Sequence, residues 1–149
     1  MSSAVSPVDQ ATSISTPLQT LTQARFLLIF VDQSILSVLN QTIGRNARVP
    51  ETLILVWRLV LRLALQLLNS IPSILIFPPP RWVTFVQAAT TLITQALQIL
   101  DSIPVASTRI FPPTPGTATV DVLLLQQVET QVRFAALFVE AAERELAIA

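Results

Sequence analysis

Between Trp82 and Leu100 the apolar residues Trp82, Phe85, Val86, Ala89, Leu92, Ile93, Ala96, Leu97 and Leu100 follow one another in alternating three- and four-residue steps. That spacing lines up one face of an α-helix and fits no half-buried strand. Three further segments repeat the pattern. The first carries Leu18, Leu21, Phe26, Ile29, Phe30, Ile35, Leu36 and Leu39, with a phase shift near Asp32 that reads as two short helices or one bent one. The second, Glu51 to Leu68, carries Leu53, Val56, Trp57, Val60, Ala64, Leu67 and Leu68, and Glu51 suits the positive end of its dipole. The last begins near Thr119 or Val120, with a stripe of Val120, Leu124, Val128, Val132, Ala135, Phe138 and Ala142, and runs toward Ala147. No alternating run of comparable length competes. The pattern predicts an all-α chain: an antiparallel four-helix bundle with Pro-rich loops and one short strand near 73–77.

Residues 1–16 are small, polar and aperiodic, which predicts an N-terminal surface arm, with 17–149 as a single helical-bundle domain. Thr16 reads as the N-cap of the first helix and Pro17 as its first residue. The stretch NQTIGRNARVP, Asn40 to Pro50, reads as a turn. An internal echo links ALQLLNSIP, ending at Pro72, with ALQILDSIP, ending at Pro104. A shared helix stop explains it, a polar residue followed by a proline that cannot continue the helix; duplication is the alternative.

Composition narrows the chemistry. The 149 residues contain no cysteine, histidine, tyrosine or lysine, so thiolate nucleophiles, His-based triads and nearly all transition-metal sites are excluded. The two glycines, Gly44 and Gly116, are isolated and form no phosphate loop. Glu140, Glu143 and Glu145 with Arg144 read as a solvated helix end, and no carboxylate pair announces itself in a cleft. The expectation is a protein that is not an enzyme and needs neither cofactor nor metal.

Hydrophobic residues make up 52% of the chain and charged residues 12%, roughly half the usual charged share. Such a surface suits a subunit buried among its own copies or, alternatively, a small α-helical integral membrane protein. Trp82–Leu100 is uncharged, but Thr84, Gln87, Thr91, Thr94, Gln95 and Gln98 give it a wet face. Arg58 and Arg62 weigh against a span in the second helix, since arginine at a bilayer centre costs about 2.5–3.5 kcal/mol on insertion scales.

Several runs match in order. They are ISTP (Ile14 to Pro17), Asn40 to Arg48, PSILIFP (Pro72 to Pro78), LITQALQILDS (Leu92 to Ser102), Pro115 with the Thr-rich residues after it, and a long last helix. Collinearly, the chain resembles coat proteins of tobamovirus (tobacco-mosaic) type. The resemblance implies a four-helix coat domain in a helical rod around single-stranded RNA, within a virion assembled in host cytoplasm. It implies an outer N-terminal arm and an inner loop between the third and fourth helices. The family's arginines after the third helix correspond here to Ile103 and Val105, and those opening the last helix to Gln126 and Gln127. Its repelling carboxylates correspond to neutral residues near Trp57 and Thr90, so no alkaline disassembly switch is expected.

Nine arginines balance nine acids, so only one to three phosphate contacts per subunit are expected. Arg48 matches a family arginine near RNA. Arg109, the only base between Arg81 and Arg133, would face an inner groove. Arg133 is the reserve, although Glu129 one turn away offers it an i,i+4 partner. Backbone contacts by these three would make RNA binding sequence-independent. Arg58 and Arg62 are expected in inter-subunit pairs. The partners are thus further copies of the chain and single-stranded RNA, with no membrane.

Overall fold

The computed structural model describes residues 7–71, 80–105 and 116–148. In chain order the elements are α1 (Pro7–Gln41), β1 (Asn46–Pro50), α2 (Glu51–Asn69), α3 (Arg81–Asp101), β2 (Thr117–Asp121) and α4 (Val122–Ala147). The fold is all-α, four helices with one short two-stranded sheet. Each helix packs on its two neighbours in a ring, α1 on α2 and α4, α3 on α2 and α4.

Polar contacts show the helices running up and down. Trp57 near the start of α2 donates its Nε1 to Ser34 Oγ in the C-terminal part of α1, 2.8 Å away. Arg58 donates from Nη2 to the carbonyls of Leu100 and Ile103 at the far end of α3, at 2.6 and 2.7 Å. Arg25 of α1 meets Glu143 near the end of α4 at 2.5 Å. The core between them is almost wholly aliphatic, with Leu21, Leu28, Ile35, Ile54, Leu61, Ile93, Leu100 and Leu125 fully buried around Trp57.

The α3 stripe is as the spacing predicts: Trp82, Val86, Ala89, Ile93, Ala96, Leu97 and Leu100 are buried, with Phe85 and Leu92 against the core. In α4 the stripe shifts by one at its start, where Leu125 is buried and Leu124 exposed. The shift follows from the true helix start. Thr117–Asp121 is strand, and Asp121 caps α4 by accepting from the Leu123 amide at 2.8 Å.

α1 departs further. It is one helix through Asp32, and Pro17 lies inside it rather than at its first position. Pro7 now occupies the first-turn position that a proline tolerates, while Pro17 removes one amide donor from the ladder. The predicted strand at 73–77 lies outside the described residues. Both echo segments end alike: the Ser70 amide bonds to Gln66 and the Ser102 amide to Gln98, each serine in right-handed helical geometry. The two echo segments thus share one helix-end geometry.

β1 and β2 pair antiparallel, Asn46 opposite Asp121 through Pro50 opposite Thr117. Ala47, Val49, Ala118 and Val120 face the core; Arg48 and Thr119 face out. Removing the Asp121 carboxylate orphans an amide at the start of α4. Asp121→Ala should therefore lower stability by about 1 kcal/mol, read as a drop in the urea midpoint at unchanged slope; an unshifted midpoint would show that the cap carries no weight.

Candidate functional site

The described arginines divide sharply. Arg25 pairs with Glu143, Arg58 and Arg62 with Asp101, Arg81 with Glu145, Arg133 with Glu129 and Arg144 with Glu140. Arg58 and Arg62 both find partners within the chain, because the last carbonyls of α3 and Asp101 together form a negative helix end. The cluster at the end of α4 is likewise more than a solvated tip, since Glu143 accepts from both Thr22 and Arg25 of α1.

Among the described residues, only Arg45 and Arg48 lack a carboxylate within 4.0 Å. Both are exposed at the strand end of the bundle. Arg48 opens onto a cavity of about 660 Å³ between the end of α1, β1 and the start of α2. Arg45 lies across the sheet, lining a second cavity with Asp121 and Gln126. Arg109 lies outside the described residues; the described chain resumes at Gly116, whose carbonyl accepts from the Glu51 amide at this same end, 3.0 Å away. Arg45 was not singled out from sequence. No local signal separates it, since Arg25, Arg58, Arg62 and Arg81 likewise have no acid within four residues and are nonetheless paired through packing.

Arg133 is elsewhere. It sits twelve residues along α4 from Asp121, about 18 Å by helical rise, with Nε 3.7 Å from Glu129 and its guanidinium over the Phe134 ring, 5.6 Å from the centroid. The structure does not bring it together with Arg48.

Beside Arg133 is a feature the sequence did not reveal. Asp32 of α1 and Glu129 of α4 are 7% and 6% exposed and share a side-chain hydrogen bond. Asp32 Oδ1 and Glu129 Oε2 have no hydrogen-bond partner. Burial, then the hydrogen bond and charge of Glu129, push the Asp32 carboxyl up to about 7, against the opposing pull of Arg133. The Asp32 carboxyl therefore keeps its proton well into the mildly acidic range. Asp32 lines a cavity of about 240 Å³ between α1 and α4, together with Arg133, Arg25, Ile29, Leu137 and Glu140. No cluster of three metal-ligating side chains occurs among the described residues.

No family model, curated protein or solved structure matches the chain.

Because Asp32 holds its proton more tightly folded than unfolded, its contribution is greatest below about pH 4 and is lost as pH rises through about 7. Allowing for solvent near the pair, about 1–2 kcal/mol should disappear between pH 5 and 8.5. Asp32→Asn keeps the shape and removes the titration, so its urea midpoint should stay flat where the wild type declines. Parallel pH profiles would refute the raised Asp32 carboxyl.

Proposed function

We propose that the chain is a structural subunit of coat-protein type, which assembles with its own copies into a helical rod around single-stranded RNA in a virion formed in host cytoplasm. The observation that carries this reading is the exposed apolar surface. Large apolar side chains are exposed along the sides of the bundle: Phe26, Ile29 and Phe30 on α1, Leu59 and Leu63 on α2, Phe134 and Leu137 on α4. A monomer gains nothing by leaving these in water, whereas a subunit with lateral neighbours hides them. Arg45 and Arg48, the described arginines without an acidic partner, lie at the strand end, where Ile43, Leu123 and Leu124 are exposed as well. In this reading copies meet side to side, and Arg45, Arg48 and Arg109 meet phosphate. Arg133, already matched by Glu129, is the weakest of the proposed contacts.

One observation favours a second reading, an integral membrane protein: Pro17–Gln41, α3 and α4 are long and apolar enough to cross a bilayer. Purification separates the two. Solubility without detergent, with rods in negative stain, supports the coat reading. Uniformly small particles under all salt and pH conditions overturn it, and retention in carbonate-washed membranes favours the second.

Rods of Arg48→Ala plus Arg109→Ala should lose most of their absorbance excess at 260 over 280 nm while remaining rods, because protein contacts dominate assembly. An unchanged ratio would remove both residues from the RNA contact.

A further inference from the structure

α1 and α4 carry the same short motif. QARFLLIFVD, Gln23 to Asp32, and QVRFAALFVE, Gln131 to Glu140, share Gln, Arg, Phe, Phe and Val in identical places, with Ile29 matched by Leu137 and Asp32 by Glu140. Burial repeats as well. Ala24, Leu28 and Val31 face the core, as do Val132, Ala136 and Val139, while Phe26 and Ile29 are exposed, as are Phe134 and Leu137. Each arginine lies over the phenylalanine that follows it, 5.1 Å from the Phe26 centroid and 5.6 Å from the Phe134 centroid. Because α1 and α4 run antiparallel, an approximate two-fold axis through their seam relates the two copies of the motif.

The match breaks at the second phenylalanine. Phe138 stacks on Phe85 of α3, 6.2 Å between centroids, whereas its counterpart Phe30 is 51% exposed with no ring against it among the described residues. Two arginine–phenylalanine stacks and a bare ring on one side of the bundle have the composition of an interface core, which is enriched in aromatic residues and arginine. The charges on α4 indicate what fits there. Arg133, Ala136, Leu137 and Glu140 line the groove from one face of α4, with Arg133 and Glu140 52% and 39% exposed. Their local partners, Glu129 and Arg144, leave guanidinium donors and carboxylate lone pairs over for a second contact. Arg133 and Glu140 stand about 10 Å apart by helical rise. An antiparallel copy of this face, centred between Ala136 and Leu137, sets each Arg133 opposite the partner's Glu140.

The same register suits α1. Midway between the Asp32–Glu129 and Arg25–Glu143 contacts, Leu28 and Ile29 of α1 stand level with Ala136 of α4. Phe26 and Phe30 straddle that level, so an antiparallel partner brings its Phe26 to Phe30 and supplies the missing ring. We infer that the α1–α4 face binds a second copy of the chain about a two-fold axis, α4 on α4 and α1 on α1, with an Arg133–Glu140 pair on each side of the centre. Lipid on this face would leave those charges unmatched. The contact goes beyond the coat reading and does not rest on it. Side-to-side growth of a rod joins unlike patches and continues, whereas a two-fold contact joins like patches and closes. Leu59 and Leu63 of α2 lie outside it, and a rod that used the α1–α4 face would first have to part the dimer.

The test is sedimentation equilibrium of the full chain, free of RNA and below the concentrations at which rods form. The variants are Arg133→Glu, Glu140→Arg, Phe30→Ser and, as a control on α2, Leu63→Ser; circular dichroism and urea midpoints check that each is folded. The wild type should dimerise. Arg133→Glu and Glu140→Arg should each weaken the dimer about tenfold, since like charges then face each other on both sides of the centre. An equimolar mixture of these two should return to within about threefold of the wild type, because the mixed dimer regains an opposite-charge pair on both sides. Phe30→Ser should weaken the dimer about tenfold, and Leu63→Ser should leave it unaltered. Phe30 is in no ion pair within the chain, so it tests the face even where a charge reversal beside Asp32 and Glu129 unfolds the protein.

A wild-type chain that stays monomeric at every concentration overturns the dimer. Dimerisation that the single reversals weaken and the mixture fails to restore overturns the two-fold register. Equal loss in Phe30→Ser and Leu63→Ser reduces the association to unspecific apolar contact and likewise overturns it. A chain that is soluble only as a monomer in detergent micelles overturns it in favour of lipid. Rods in negative stain from a chain that forms no dimer leave the coat reading standing and overturn this contact; dimers from a chain that forms no rods do the reverse.

Discussion

The two-stranded sheet holds the bundle in register. β1 ends at Pro50 directly before α2, and β2 ends at Asp121 directly before α4. The first amide of each helix is satisfied by the other connection: Glu51 N donates to the Gly116 carbonyl at 3.0 Å and Val122 N to the Arg45 carbonyl at 2.8 Å. Helix starts leave orphaned donors that must find partners. Here each start takes its partner from the opposite crossover, so α2 and α4 cannot slide independently. The inward pairs Ala47–Val120 and Val49–Ala118 close the core beneath the same ladder. Arg48 projects from its outer face, so the register of the sheet also sets where the unmatched charge stands.

That sheet was the least legible part of the sequence. NARVP and TATVD are each five residues of alternating character, too short to stand out beside helical stripes four times as long. Their partners lie about seventy positions apart, and nothing local announces a pairing of that range. The same ignorance displaced the start of α4 and, with it, the choice between Leu124 and Leu125. The helices themselves were legible because their burial depends on local periodicity alone. Pro17 misled in the other direction, since proline in a first turn and proline within a longer helix look alike until the preceding residues are known to be helical.

Charge was legible only where partners are close in sequence. The Glu129–Arg133 and Glu140–Arg144 pairs follow from four-residue spacing. Arg58, Arg62 and Arg25 found acids 39 to 118 positions away through packing, which periodicity cannot assign. The Asp32–Glu129 pair is the same case with a sharper consequence. A sequence shows an acid on each of two helices; only antiparallel packing of α1 on α4 makes them neighbours and removes their water. Arg48 was identified from the chain, but its meaning changed once the other arginines were seen to be matched.

The two sets of unmatched groups lie at different heights of the bundle, and this constrains how they can influence one another. Arg48 is tied to the sheet end, where backbone hydrogen bonds and the aliphatic pairs beneath them leave little freedom. Asp32 and Glu129 sit at the α1–α4 seam, beside exposed Ile29 and Leu137. Deprotonation of Asp32 places its charge beside Glu129 in a poorly hydrated gap, and the cheapest relief is to separate the helices locally and admit water. Such a movement would alter the lateral apolar face before it reached the strand end. Acid and base should therefore act on how copies meet more than on how Arg48 holds an anion, because the seam is a contact between side chains whereas the sheet is fastened through the backbone.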